Sequence, residues 1–288
     1  MTATSTLPAG RTRRRRRAAG PLLLGIALLL FVALCAVFAD FLLPQGPNRM
    51  DLARHLAPPD LFGRHPLGTD ALGRDVLARL IYGARISLLV GLASVAISAP
   101  IGVAVGLVAG FTGGRLGDAL MRLADIQLAI PNILLTIAIV TVLGPGLANV
   151  ILSLSVAGWP TYARLVRGEV LVAVRQDYVE AARALGARPL RILLRHVLPN
   201  VLTPAIVFAT FAVGDMIILE ATLSFLGLGV PPRVVTWGSM LNDGRLYLTT
   251  AWWITVFPGL AIFVAVLGAN LIGDSLRDRL DPRLRNAL

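Results

Sequence analysis

Six stretches of this chain run for close to twenty residues or more with almost no charge: Pro21–Leu43, Ile86–Thr112, Ile126–Leu143, Leu147–Ala163, Val201–Leu219 and Trp252–Ile272. A helix rises 1.5 Å per residue, so about 20 residues cross the ~30 Å hydrocarbon core of a bilayer. At 56% hydrophobic and 15% charged over 288 residues, the chain is too apolar for an ordinary soluble domain. The expected fold is therefore an all-α polytopic membrane protein with about six transmembrane helices. An N-terminal tail (1–20) precedes the first helix (21–43) and an extracytoplasmic loop (44–85). The transmembrane core (86–273) encloses a cytoplasmic loop at 165–200, and a tail (274–288) follows.

Arginine sets the orientation. All 27 basic residues are arginine, and the net charge is +11. With the amino terminus inside and six crossings, 19 arginines fall on the cytoplasmic side and eight outside. Positive charge in short loops marks the cytoplasmic face of a membrane protein. The even count of helices puts both termini there. The run RTRRRRRAAG (Arg11–Gly20) reads as an orientation anchor beside lipid, not as a nucleic-acid tail. Cys35 has no partner cysteine and reads as apolar filler of the first helix.

Several chemistries are disfavoured. A phosphate-binding P-loop needs G-x-x-x-x-G-K-[ST], and the chain contains no lysine at all. The glycine cluster GFTGGRLGD is no substitute. His55, His65 and His196 lack ligand spacing, so neither a metal nor another cofactor is expected. Serines within the spans read as helix-packing groups. No enzymatic site is expected; energy would enter from a partner. A self-sufficient secondary transporter or channel is the competing class, but no segment recurs as an internal repeat.

The segment EAARALGARPLRILLRHVLPN (Glu180–Asn200) interrupts the apolar pattern. Asp177 and Glu180 have capping-box spacing, and Tyr178, Ala181, Ala182 and Leu185 follow at helical intervals. Gly186 stands where a left-handed residue would end that helix, and Pro189 suits the first turn of the next. Leu190, Leu193, Leu194 and Val197 form one face of this second helix, with Arg191 and Arg195 on another. Pro199 leads into the fifth span. Periodicity alone leaves two readings open: a loop anchored on anionic lipid, or a rigid protrusion that docks a protein.

At these residues the sequence resembles the EAA loop of ABC-importer permeases. Glu180-Ala181-Ala182, Gly186 and Leu198-Pro199 match its spacing. His196 departs from the general pattern but is similar to the form in dipeptide and oligopeptide importers. The string HPLGTDALGRDVLARLIYGARISLLVGL (His65–Leu92) resembles the approach to the second helix in the shorter permease subunit of dipeptide, oligopeptide and nickel importers. LEATLSFLGLGVPPRVVTWGSML (Leu219–Leu241) and DPRLR (Asp281–Arg285) look like the same family. The resemblance implies the type I importer architecture in a bacterial inner membrane. It also implies a second homologous permease, two ATP-binding subunits and an extracytoplasmic solute-binding protein. The loop around Arg191, Arg195 and His196 would be the lever seated on the ATPase.

Local patterns add five expectations. Thr69 or Asp70 caps an interfacial helix in which Leu72, Val76, Leu77, Leu80 and Ile81 share a face. A short helix ends near Gly227–Gly229, and Trp237 sits at the membrane interface. Asp215 is an intramembrane ionisable group and a candidate for the pathway, because an unpaired charge in hydrocarbon is costly. Glu220 reads as structural.

Overall fold

The apolar runs become a bundle of long helices in the computed structural model, which describes residues 10–280. The first nine residues and the DPRLR ending lie outside the described residues. In chain order the helices are α1 (Gly10–Val37), α2 (Ala39–Leu42), α3 (Val76–Thr112), α4 (Gly114–Leu128), α5 (Asn132–Leu143) and α6 (Leu147–Ala173). Then come α7 (Asp177–Ala184), α8 (Pro189–Ile192), α9 (Leu198–Phe225), α10 (Trp237–Gly244) and α11 (Trp253–Leu280).

Four helices are long and apolar enough to cross a membrane: Gly20–Val37 of α1, all of α3, the continuous helix Pro189–Phe225, and α11. The pair α4–α5 makes a fifth if its two arms, bent by 87°, are one span. The expected third span, Ile126–Leu143, straddles that bend. Pro131 causes it, having no N–H to donate and restricting the residue before it. The expected fourth span forms the first part of α6, a helix of 27 residues. That helix is less apolar because it lies among α3, α4, α5 and α9, so much of its surface meets protein and not lipid.

Small residues set the closest approach. Gly106 of α3 lies so near α6 that an added Cβ would come within 2.5 Å of the Ala163 carbonyl oxygen. At Gly110 the same atom would meet Val170 Cβ at 2.7 Å. Gly102 repeats the pattern one turn outward, so G-x3-G-x3-G brings the two backbones together where van der Waals contact, not hydrophobic burial, drives association. On the far side α1 runs antiparallel to α11, with Gly25 against the Gly268 carbonyl. The described ends of the chain therefore lie at the same face of the bundle.

Three local expectations are corrected. Asp75, not Thr69 or Asp70, caps the helix before the second span, accepting from the Ala78 N–H at 2.8 Å. There is also no separate interfacial helix: α3 runs unbroken for 37 residues, about 55 Å, which exceeds a bilayer core. Leu219–Phe225 is the end of α9 itself, closed at Gly227 (φ 78°) when the Leu228 N–H bonds the Leu223 carbonyl. Trp237 is buried at 1% exposure, its indole N–H bonding the Leu80 carbonyl at 3.0 Å. Gly83 and Gly238 leave room for that close seating of α10.

Candidate functional site

Helix α7 starts without a side-chain cap. Gln176 occupies the cap position, so Asp177 and Glu180 form no capping box. Their carboxylates lie in the first turn and Arg183 in the last, an order that suits the helix dipole. The far end closes as a Schellman corner. The Ala187 N–H bonds the Ala182 carbonyl at 3.1 Å and the Gly186 N–H bonds the Arg183 carbonyl at 2.9 Å. Gly186 holds φ 77°, which a Cβ would strain. Pro189 then opens α8.

The faces of this segment differ from the periodicity reading. Val179, Ala182, Ile192 and Val197 are the buried positions, packed with Val166 and Val170 of α6 and Val201 of α9. Tyr178, Ala181, Leu185, Leu190 and Leu194 point outward, Leu185 being 88% exposed. Two apolar stripes coexist: one attaches the corner to its own bundle, and the other is left free. Glu180, Arg191, Arg195 and Pro199 are exposed around it, whereas His196 and Leu198 are half-buried. Among the described residues no ion pair involves Arg191 or Arg195.

The corner is wired to the span that follows. Pro199 lacks an N–H, and Leu193–Val197 form a π turn in which the Leu198 N–H reaches the Leu193 carbonyl. This inserted turn lets the helix continue through Pro199, so Pro189–Phe225 is one rod of 37 residues. Asn200 clips it back to α7, its amide donating to the Tyr178 hydroxyl at 3.0 Å and the His196 carbonyl at 2.8 Å.

Beside this rod lies a groove of about 800 Å³, lined by Glu169 of α6, by Asn200, Thr203, Phe208 and Phe211 of α9, and by Arg277 of α11. Asp215 stands one turn beyond Phe211 on the same helix face. It is exposed along the bundle and has no hydrogen-bond partner among the described residues.

At the opposite face, Asp70 is 2% exposed and gathers four donors. It accepts from the Leu72 and Arg74 N–H groups, from Arg74 Nε at 2.6 Å, and from Arg79. Arg79, 3% exposed, also reaches Asp243 of α10 at 2.9 Å. His65 pairs with Asp75 at 2.7 Å, so His65 and Asp70 serve separate local networks. Glu220 is fully buried, accepting from Ser224 at 2.7 Å and Ser87 at 3.2 Å. Ser87 in turn accepts the Trp237 N–H, so the carboxyl ties α9 to α3 and α10.

Comparison with known proteins places this geometry. Residues 102–286 match the model of the binding-protein-dependent transport system inner membrane component. The chain is 47% identical over 267 residues to the di/tripeptide transport system permease protein DppC of Pseudomonas aeruginosa, covering 91% of this chain and 88% of that one. It is 43% identical to the glutathione transport system permease protein GsiD of Pectobacterium atrosepticum, covering 91% and 86%. A chain of the MetNI methionine ABC transporter, solved in inward-facing form, shares the fold with TM-score 0.54 and 22% identity. That likeness covers 69% of this chain and 96% of the other.

Proposed function

The chain belongs to the family of inner membrane components of binding-protein-dependent transport systems, and from that premise we propose that it forms half of an import pathway for short peptides. A permease of such an ATP-driven importer works with ATP-hydrolysing and solute-binding partners. The second half of the pathway would be a homologous permease, with two ATPase subunits beneath and the binding protein docked outside. The peptide reading is supported by the relatives named for di/tripeptides and glutathione.

The observation that carries the mechanism is the rigid attachment of the Glu180–Pro199 corner to α9. Its outward stripe, Tyr178, Ala181, Leu185, Leu190 and Leu194, would seat in a groove of the ATPase. The stripe on its other side, with Val179 and Ile192, holds it to the bundle. Closure of the ATPase pair would push the corner, and the rod Pro189–Phe225 would carry that displacement to the groove and to Asp215. The chain supplies the pathway and the lever, while bond-breaking takes place in the partner.

Reconstitution tests this. Vesicles carrying both permeases, the ATPases and the binding protein should take up dialanine only with ATP inside the ATPase compartment. Uptake by this chain without any ATPase subunit would instead establish a self-sufficient transporter.

A further inference from the structure

The groove beside α9 carries an acid and a base that its own bundle leaves unmatched. Glu169 of α6 is half-buried and Arg277 of α11 is exposed, and both line the groove. Among the described residues no ion pair involves either of them. A half-buried carboxylate without a counter-charge is costly beside hydrocarbon, so Glu169 calls for a cationic partner. Two polar groups of α9 line the same groove. The Asn200 amide nitrogen is committed to Tyr178 and His196, which leaves its side-chain oxygen to accept. Thr136, Thr141 and Thr222 donate their hydroxyls to the carbonyl four residues back, whereas Thr203 makes no such bond among the described residues.

The lining is ordered by depth. Glu169, Asn200 and Arg277 stand close to the helix ends that the arginine distribution places in the cytoplasm. Phe208 and Phe211 lie eight and eleven residues further along α9, about 12 and 16 Å toward the middle of the bilayer. Charge at the membrane surface with rings toward its centre is the polarity of a phospholipid standing in its own leaflet. The opposite charges on separate walls then select the headgroup. A phosphate accepts from the Arg277 guanidinium, and a primary ammonium donates to Glu169, Asn200 and Thr203. A purely anionic headgroup would leave Glu169 unmatched, and a quaternary ammonium has no N–H to donate. A soluble zwitterion such as dialanine carries both charges but makes little use of the apolar length.

We propose that this groove holds an aminophospholipid of the cytoplasmic leaflet, phosphatidylethanolamine. Its phosphate rests on Arg277, its ammonium on Glu169, and an acyl chain runs along Phe208 and Phe211. The groove's volume, about 800 Å³, lies within the ~300–1,000 Å³ range of small-molecule sites. Basic pockets between helices at the cytoplasmic side suit lipid phosphates in general; the added carboxylate narrows this one to an ammonium-bearing head. Seated there, the lipid packs against the rod Pro189–Phe225 at the end that carries the coupling corner. The site does not depend on which solute the transporter carries.

The test uses the assembled transporter, purified from vesicles of phosphatidylethanolamine, phosphatidylcholine and phosphatidylglycerol with the same chains. Retained lipid is counted by native mass spectrometry. Phosphatidylethanolamine should be retained about ten-fold over phosphatidylcholine, the discrimination expected of one charge-assisted hydrogen bond. Glu169→Gln should abolish that preference, and Arg277→Gln should lower phosphatidylethanolamine retention by a similar factor. Equal retention of the three lipids by the wild-type protein overturns the site, and that comparison needs no variant to assemble. An undiminished preference in Glu169→Gln also overturns it, because the selecting group then lies elsewhere. Release of the lipid by millimolar dialanine overturns the lipid source and assigns the same zwitterion chemistry to the solute.

Discussion

Asn200 donates a hydrogen bond to the Tyr178 hydroxyl at 3.0 Å, joining two residues 22 positions apart across the loop corner. The bond links the short helix that would meet the ATPase to the base of the rod that borders the groove. It is exposed, so its net contribution to stability is small, about 0.5–1.5 kcal/mol.

Asn200→Ala should therefore leave the fold and ATPase binding nearly intact but weaken transmission. The expected outcome is dialanine uptake reduced several-fold per ATP hydrolysed, measured as the ratio of transport to phosphate release in the same vesicles. An unchanged ratio would show that the apolar cluster around Val179 and Ile192 suffices for coupling.

Gly186 has open space where a Cβ would project, so substitution is opposed by backbone conformation and not by a clash within the chain. A non-glycine residue in the left-handed region costs on the order of 1–3 kcal/mol. Gly186→Arg should insert normally and fail to co-purify with the ATPase, whereas Gly186→Asn, which tolerates that region, should retain binding. Unchanged co-purification of Gly186→Arg would remove the corner from the docking surface.

Asp70 and Asp243 share the same arginines but differ in burial, at 2% and 41% exposure. Asp70→Ala removes the buried partner of Arg79, leaving it only the half-exposed Asp243, and should cost about 3 kcal/mol. Asp243→Ala removes a half-exposed partner and should cost about 1 kcal/mol or less. Thermal unfolding of the purified protein in detergent distinguishes them; equal losses would show that the two carboxylates hold Arg79 equally.

The corner shows how far periodicity reaches. Gly186 and Pro189 are legible because each answers a backbone requirement within a few residues. The faces are not. Tyr178, Ala181, Ala182 and Leu185 fall on helical spacing, but of these only Ala182 is buried, while the neighbouring Val179 is buried completely. A short helix with two apolar stripes gives no local sign of which one meets its own bundle. The Asp70 network was missed for a related reason. Its arginines lie four and nine residues on in the chain, and Asp243 lies 164 residues from Arg79. The G-x3-G-x3-G run at Gly102, Gly106 and Gly110 was a signal that could have located the α3–α6 contact.

The sequence by itself determined the membrane class, the six apolar segments, the side on which arginine collects and the glycine corner. Hydrocarbon thickness, loop charge and φ restrictions act on contiguous residues, so each is written locally. Only the tertiary structure decided that α6 lies among its neighbours, that Trp237 is buried in place of standing at an interface, and that Tyr162 is buried edge-on against Phe208. Those outcomes depend on which helices come together, and close approach at Gly83, Gly106 and Gly238 joins residues far apart in the chain.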